Sequence, residues 1–151
     1  MLIDFHTHAF PEVISKKAID KLAYLSGGLA PQTVGTVSSL KQEMKKDGVD
    51  ISVVLSIATN PNQQINVNNF AKKINDEKHI FAFGSVHPDA ENVFEELERI
   101  KDMGLKGVKF HPEYQNFYVD DEKMKPIYKK ISSLGLITVF HSGYDYGYAP
   151  P

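Results

Sequence analysis

Cysteine is absent from this chain of 151 residues, which excludes a disulfide framework and thiolate ligation, so any metal site must be built from His, Asp and Glu. Neither sign of charge is in excess. The formal net charge is −2 and no Lys/Arg stripe falls on one predicted face, which excludes the basic footprint of a nucleic-acid binder. Long apolar runs are also lacking: the longest stretch, around Ile51 to Ala58, is far short of the roughly 20 residues a spanning helix needs. No positively charged start precedes an apolar segment. These absences lead to the expectation of a soluble, cytoplasmic protein whose partner is a small molecule rather than nucleic acid or membrane. With 42% apolar residues the chain can bury one core and is too short to argue for two.

What is present is a repeating pattern of strands and helices. An apolar start, Leu2 to Thr7, reads as a strand, and apolar residues at helical spacing from Glu12 to Leu25 end at Gly27-Gly28. A second helix is expected over Ser39 to Asp47, stopped by Gly48. A β-branched run from Ile51 to Ile57 follows, bounded by Asn60-Pro61. The unit then recurs: a polar helical pattern through Ile74 and a strand Ile80 to Val86; a helix Ala90 to Met103 and a strand Val108 to Phe110; a helix Glu122 to Leu134 and a strand Ile137 to Phe140. The later strands begin 29, 28 and 29 residues apart, a βα period that argues for a parallel sheet covered by helices.

The histidines are not scattered over this pattern. His6 and His8 follow the first strand, His87 the third, His111 the fourth and His141 the fifth; only His79 precedes a strand. Catalytic groups of parallel α/β folds collect at the carboxyl ends of strands, so this bias is that of an active-site rim. On an extended strand His6 and His8 share a face, with Asp4 one step behind, and two imidazoles aimed at one point suggest a metal. Asp4 reads as a carboxylate that orients one of those rings, or as inner packing. His87, before Pro88, reads as a turn residue, and His79 as a surface residue.

Five βα units suit two architectures. One is a doubly wound sheet of order 2-1-3-4-5, which the chain length fits; the other is the opening part of a (β/α)8 barrel, which normally takes about 250 residues. In the open sheet the first and fifth strands lie roughly 14 Å apart, and His141 is out of reach of His6 and His8. In a barrel these strands face each other across the axis, and the three imidazoles can converge. The chemistry therefore favours the partial barrel.

The segments IDFHTHAFP, GVKFHPEYQNFYVDD and LGLITVFHSG, in this order and spacing, resemble the amidohydrolase-related family of metal-dependent enzymes, in particular its branch with aminocarboxymuconate-semialdehyde and resorcylate decarboxylases. The resemblance spans essentially the whole chain. It implies an α/β fold with about five βα units of a TIM-type barrel, and three further units beyond residue 151 that would bring a sixth-strand histidine and an eighth-strand aspartate. It places metal ligands at His6, His8 and His141, with Zn²⁺ first and Mn, Fe or Co as alternatives. Catalytic roles fall to His111 and His141, and substrate contacts to His111, Glu113 and Tyr144, with Asp145 and Tyr146 near the pocket mouth. Some superfamily members carry a carboxylated lysine on the fourth strand, a role for which Lys109 is the candidate. The implied activity is hydrolysis of a small amide, ester or lactone by a metal-activated water, with non-oxidative decarboxylation as the alternative and a catalytically incomplete binding protein as the second alternative. Open edges on the first and fifth strands would invite self-association, leaving a homo-oligomer open.

Overall fold

The computed structural model describes residues 1–143 and 145. Its elements are β1 (Ile3–Thr7), α1 (Glu12–Leu25), α2 (Val37–Asp47), β2 (Ile51–Leu55), a 3₁₀ turn (Pro61–Gln63) leading into α3 (Gln64–Ile74), β3 (Ile80–Phe83), α4 (Val93–Asp102), β4 (Gly107–Phe110), the short α5 (Pro112–Gln115), α6 (Met124–Ser133) and β5 (Ile137–Phe140). The expected elements are all present, and the differences lie at their ends. Helix α2 starts at Val37, ahead of the expected Ser39, because Thr36 caps it: its Oγ1 accepts from the Ser39 N–H at 3.1 Å, and Ser39 Oγ accepts from the Thr36 N–H at 3.1 Å. β2 and β3 stop before Ile57 and Val86 because side chains take over the next backbone groups: Ala58 N–H donates to Ser85 Oγ and Ser85 N–H to Asn68 Oδ1.

Strand order decides the architecture. β1 pairs with β2, β2 with β3, and β4 with β5, all parallel. The two ladders join at a Gly84–Val108 bridge, where Gly84 N–H donates to Gly107 O (2.9 Å) and Lys109 N–H to Gly84 O (2.8 Å). The order is therefore 1-2-3-4-5. A doubly wound sheet of order 2-1-3-4-5 would place β1 between β2 and β3, whereas those two strands bond directly to each other. Chain-order parallel pairing is the order of a (β/α) barrel.

The strand faces divide the core in two. Val54, Ala82, Val108 and Phe110 pack outward against helix residues at helical spacing, among them Val93, Leu97 and Ile100 of α4 and Met124, Ile127 and Ile131 of α6. Val53, Leu55 and Phe83 form the inner cluster, with Phe81 and Val139 against it. β1 is the exposed wall: Ile3 is 45% and Phe5 49% accessible, against 0% for Val54.

A register shift in β1 sets the direction of its histidines. Asp4 pairs with Ser52 but Thr7 with Val54, so three steps on β1 match two on β2, a β-bulge with one extra residue. After the shift Thr7 shares the parity of the outward Val54, and His6 and His8 share that of the inward Val53 and Leu55. This corrects the expectation for Asp4, which stands before the bulge. Its carboxylate accepts from the His6 backbone N–H at 3.1 Å and so supports the irregular backbone rather than an imidazole ring.

The inner face is tight where β4 begins. A Cβ built on Gly107 would lie 2.3 Å from Phe83 Cε2 and 2.6 Å from the Ile137 carbonyl oxygen, and the latter, as backbone, cannot move aside. Gly107→Ala is therefore expected to lower stability by about 1 to 3 kcal/mol, the range of overpacked cores, as measured by denaturant unfolding.

Candidate metal centre

Histidines from three strands gather at the carboxyl ends of the sheet. His111 follows β4 and is buried, His141 follows β5, and Asp145 lies just beyond it; one ligand atom from each can be chosen so that all lie within 4.8 Å of one another. The His111 and His141 rings stack at 4.1 Å between centroids and 6° between planes, and Tyr114 stacks on His111 at 3.8 Å and 2°. His111 Nε2 is 3.3 Å from Asp145 Oδ2, and its Nδ1 is 3.2 Å from Glu113 Oε2.

The β1 histidines border this group without being part of that 4.8 Å set. Their rings lie 5.1 Å apart at 64°. His8 Nδ1 is 2.9 Å from the Leu55 carbonyl oxygen, a bond that requires Nδ1 to carry the proton and leaves Nε2 with a free lone pair, the arrangement of a ligating histidine. His6 is held below the usual histidine range by burial first and then by the charges of Lys109 and His141, so it shares their field across the sheet. Thus the expected ligand His141 shares its 4.8 Å set with His111, expected in catalysis and substrate contact, and with Asp145. Tyr144 and Tyr146 lie outside the described residues.

The donor set suits a divalent cation. Metal binding requires neutral imidazoles. Burial, with a smaller contribution from neighbouring positive groups, pushes His8 down to about 4, and burial followed by the His141 charge pushes His111 down to about 4. His141 Nε2 and His111 Nδ1 are buried without a hydrogen bond, the contact of the latter with Glu113 lacking hydrogen-bond geometry. Orphaned buried nitrogens are costly, and a cation at their lone pairs would offset that cost. Divalent-metal ligation by this His/Asp set is chemically consistent with the site.

Side-chain amides hold the rim in place. Gln115, fully buried, donates through Nε2 to Ala58 O (2.9 Å) and Val86 O (2.8 Å), while its Oε1 accepts from His111 N–H (2.9 Å), tying together the segments that follow β2, β3 and β4. Asn68 of α3 bonds both backbone groups of Ser85, and Ser85 Oγ donates to Lys109 O. Gln64 accepts from His87 N–H. His87 itself is a turn residue, its Nδ1 accepting from Asp89 N–H, and His79 is exposed, as expected. Sequence reasoning missed Gln115, Asn68 and Gln64; the polar, helically spaced Gln64 and Asn68 were the available signal.

Gln115→Met keeps the shape but orphans three buried backbone groups, and a loss of about 3 kcal/mol in unfolding free energy is expected. The lowered His8 and His111 pKa values also fix a pH dependence. Unfolded histidines take up protons near pH 6.5 that the folded rings refuse until about 4. In the metal-free protein the contribution of these two rings to stability should therefore be fully present above about pH 6.5 and be lost as pH falls toward 4. Thermal melts across that window should show a shallower dependence for His111→Asn than for the unsubstituted protein.

Comparison with known proteins agrees with this geometry. The family model described as Amidohydrolase matches residues 3–150. Similar solved structures include the apo form of IDCase from Metarhizium anisopliae (16% identity, TM-score 0.69, covering 93% of this chain and 50% of that one). They also include 4-oxalomesaconate hydratase from Rhodopseudomonas palustris (16%, TM-score 0.63, 93% and 52%). A third is a 5-carboxyvanillate decarboxylase from Novosphingobium aromaticivorans with bound manganese (14%, TM-score 0.65, 93% and 50%). At these identities the likeness concerns the fold, and the chain spans about half the length of each of these structures. No curated protein matches by sequence. With parallel strands in chain order, histidines at their carboxyl ends and a family match over nearly every residue, this chain belongs to the amidohydrolase family.

Proposed function

We propose that the chain supplies the amino-terminal part of the active site of a metal-dependent hydrolase acting on a small carbonyl substrate, an amide, ester or lactone. The observation that carries this reading is the meeting of His111, His141 and Asp145 at one rim, beside His6 and His8. A divalent ion, Zn²⁺ first and Mn, Fe or Co as alternatives, would be held by residues of this set and would polarise a carbonyl oxygen and acidify a water. His111 stays neutral near pH 7 and lies between two carboxylates, Asp145 and Glu113, so it can pass a proton between the site and its mouth. A cavity of about 360 Å³ opens onto His141, Asp145 and Tyr114, with Ile19, Leu22, Leu25 and Leu29 as an apolar wall, which suits a small substrate.

A second reading is non-oxidative decarboxylation of a small carboxylic acid. It is favoured by the manganese-bound 5-carboxyvanillate decarboxylase among the similar structures. In this reading the same rim would orient a carboxylated substrate, and His111 would deliver a proton to carbon.

Metal analysis of the full-length protein tests the shared premise. Near-stoichiometric divalent metal is expected, and metal at a hundredfold excess over Kd should stabilise the fold by about 2.7 kcal/mol. His141→Ala should lose both effects; metal fully retained by this variant and by His6→Ala would reject the site. Assays of amide, ester and lactone cleavage against CO₂ release then separate the two readings.

A further inference from the structure

Helix α1 carries an apolar stripe that the rest of the chain leaves uncovered. Ile19, Leu22 and Leu25 recur every third residue, the spacing of one helix face. On α4 and α6 the matching residues, Leu97 and Ile100, Ile127 and Ile131, are buried in the outer core. On α1 the only buried residue is Ser15.

The stripe borders a cavity instead. Ile19, Leu22 and Leu25, with Leu29 of the following loop, line a space of about 360 Å³ whose lining also includes His141, Asp145 and Tyr114 of the rim. That volume is the size of a small-molecule pocket. Among the described residues no lysine or arginine lines it, so a charged group lying along the wall would lose water without gaining a cationic partner.

The segment that carries the wall is anchored at its base. Phe10 N–H donates to Gly35 O at 2.8 Å, and Phe10 and Thr36 form a parallel bridge, which closes the loop containing α1. Ile19 lies over Gly35: a Cβ there would be 2.7 Å from Ile19 Cδ1, and the φ of +71° also favours glycine. Apart from that closing bond, the hydrogen bonds and the ion pair of residues 11–35 stay within the segment among the described residues, Lys16 to Asp20 and Ser26 to Ala23 included. The wall therefore meets the rim across the cavity through hydrocarbon rather than through polar contacts. Hydrocarbon exposed to water is covered at a gain when an apolar ligand lies against it.

We infer that Ile19, Leu22, Leu25 and Leu29 form a specificity wall that receives a hydrocarbon chain of the substrate, whose carbonyl group is directed to His141 and Asp145. The inference rests on the reading of the rim as a hydrolase site. It narrows the substrates to amides, esters and lactones that carry an alkyl chain.

The test measures binding of acetamide, butyramide and hexanamide to the full-length protein by ligand-observed NMR, beside hydrolysis of ethyl acetate, ethyl butyrate and ethyl hexanoate. Each methylene laid against the wall should tighten binding about fourfold, so butyramide should exceed acetamide by about tenfold or more. Leu22 and Leu29 are 39% and 62% accessible, so polar substitutions there should leave the fold intact. The double variant Leu22→Asn, Leu29→Asn should lose most of the gain per methylene, and Leu22→Met should keep it. A flat amide series in the unsubstituted protein, or a gradient that survives in the double variant, overturns the inference. So does gel filtration in which Leu22→Asn converts a dimer to a monomer, because a second copy would then be what covers the wall. Should the double variant not fold, Leu29→Asn, which lies outside the helix, is read in its place. The ester series and metal analysis keep the two readings apart. A wall-dependent amide gradient without ester cleavage or metal uptake removes the hydrolase and leaves the apolar site, and ester cleavage at a rate indifferent to chain length, with a flat amide series, does the reverse.

Discussion

Each strand of this protein bonds to the next strand in the chain, and the site depends on that rule of pairing. Parallel strands in chain order put all their carboxyl ends on one rim, and inward side chains from β1, β4 and β5 then share one space. The pairing is uneven. Between β3 and β4 it narrows to the bridge at Gly84, and there the rim is held by side-chain amides, with Gln115 linking three strand ends and Asn68 holding Ser85. Asn68 is itself anchored to Glu96, a buried carboxylate neutralised by Arg99. Backbone hydrogen bonds curl the sheet, and buried polar side chains fix where its loops begin.

The electrostatics of the rim follow from its composition. Imidazoles surrounded by protein stay neutral, which keeps their lone pairs available, while the carboxylates Asp145 and Glu113 are arranged around one of them, His111. Lys109 adds a buried amine whose Nζ has no hydrogen-bond partner and whose pKa burial holds below the usual lysine range. Neutral nitrogen donors beside a carboxylate form a donor set that suits a divalent cation. The exposed inner surface of β1 is the wall on which the enclosure of this site is thinnest.

Much of the fold was legible because burial has a period. The 29, 28 and 29 residue spacing of strand starts, the apolar helix faces and the stop at Gly48 each reflect a local cause, so α1 and β5 have the expected ends and α2 the expected end at Asp47. The site was legible in its residue types and in their places after strands: His6, His8, His111 and His141 all lie on the rim. What escaped the reading was non-local. The β1 bulge exists only in relation to β2, the role of Gln115 requires three segments far apart in sequence, and α5 is a single turn between Pro112 and Asn116.

The chain by itself determined the alternation of strands and helices and the presence of imidazoles at strand ends, since both are set by side-chain type and spacing along one segment. Tertiary structure decided the strand order, the face on which His6 and His8 emerge, and the complete burial of Lys109. Those three depend on which segment bonds to which, and local periodicity, identical for an open and a curled sheet, carries no record of that choice.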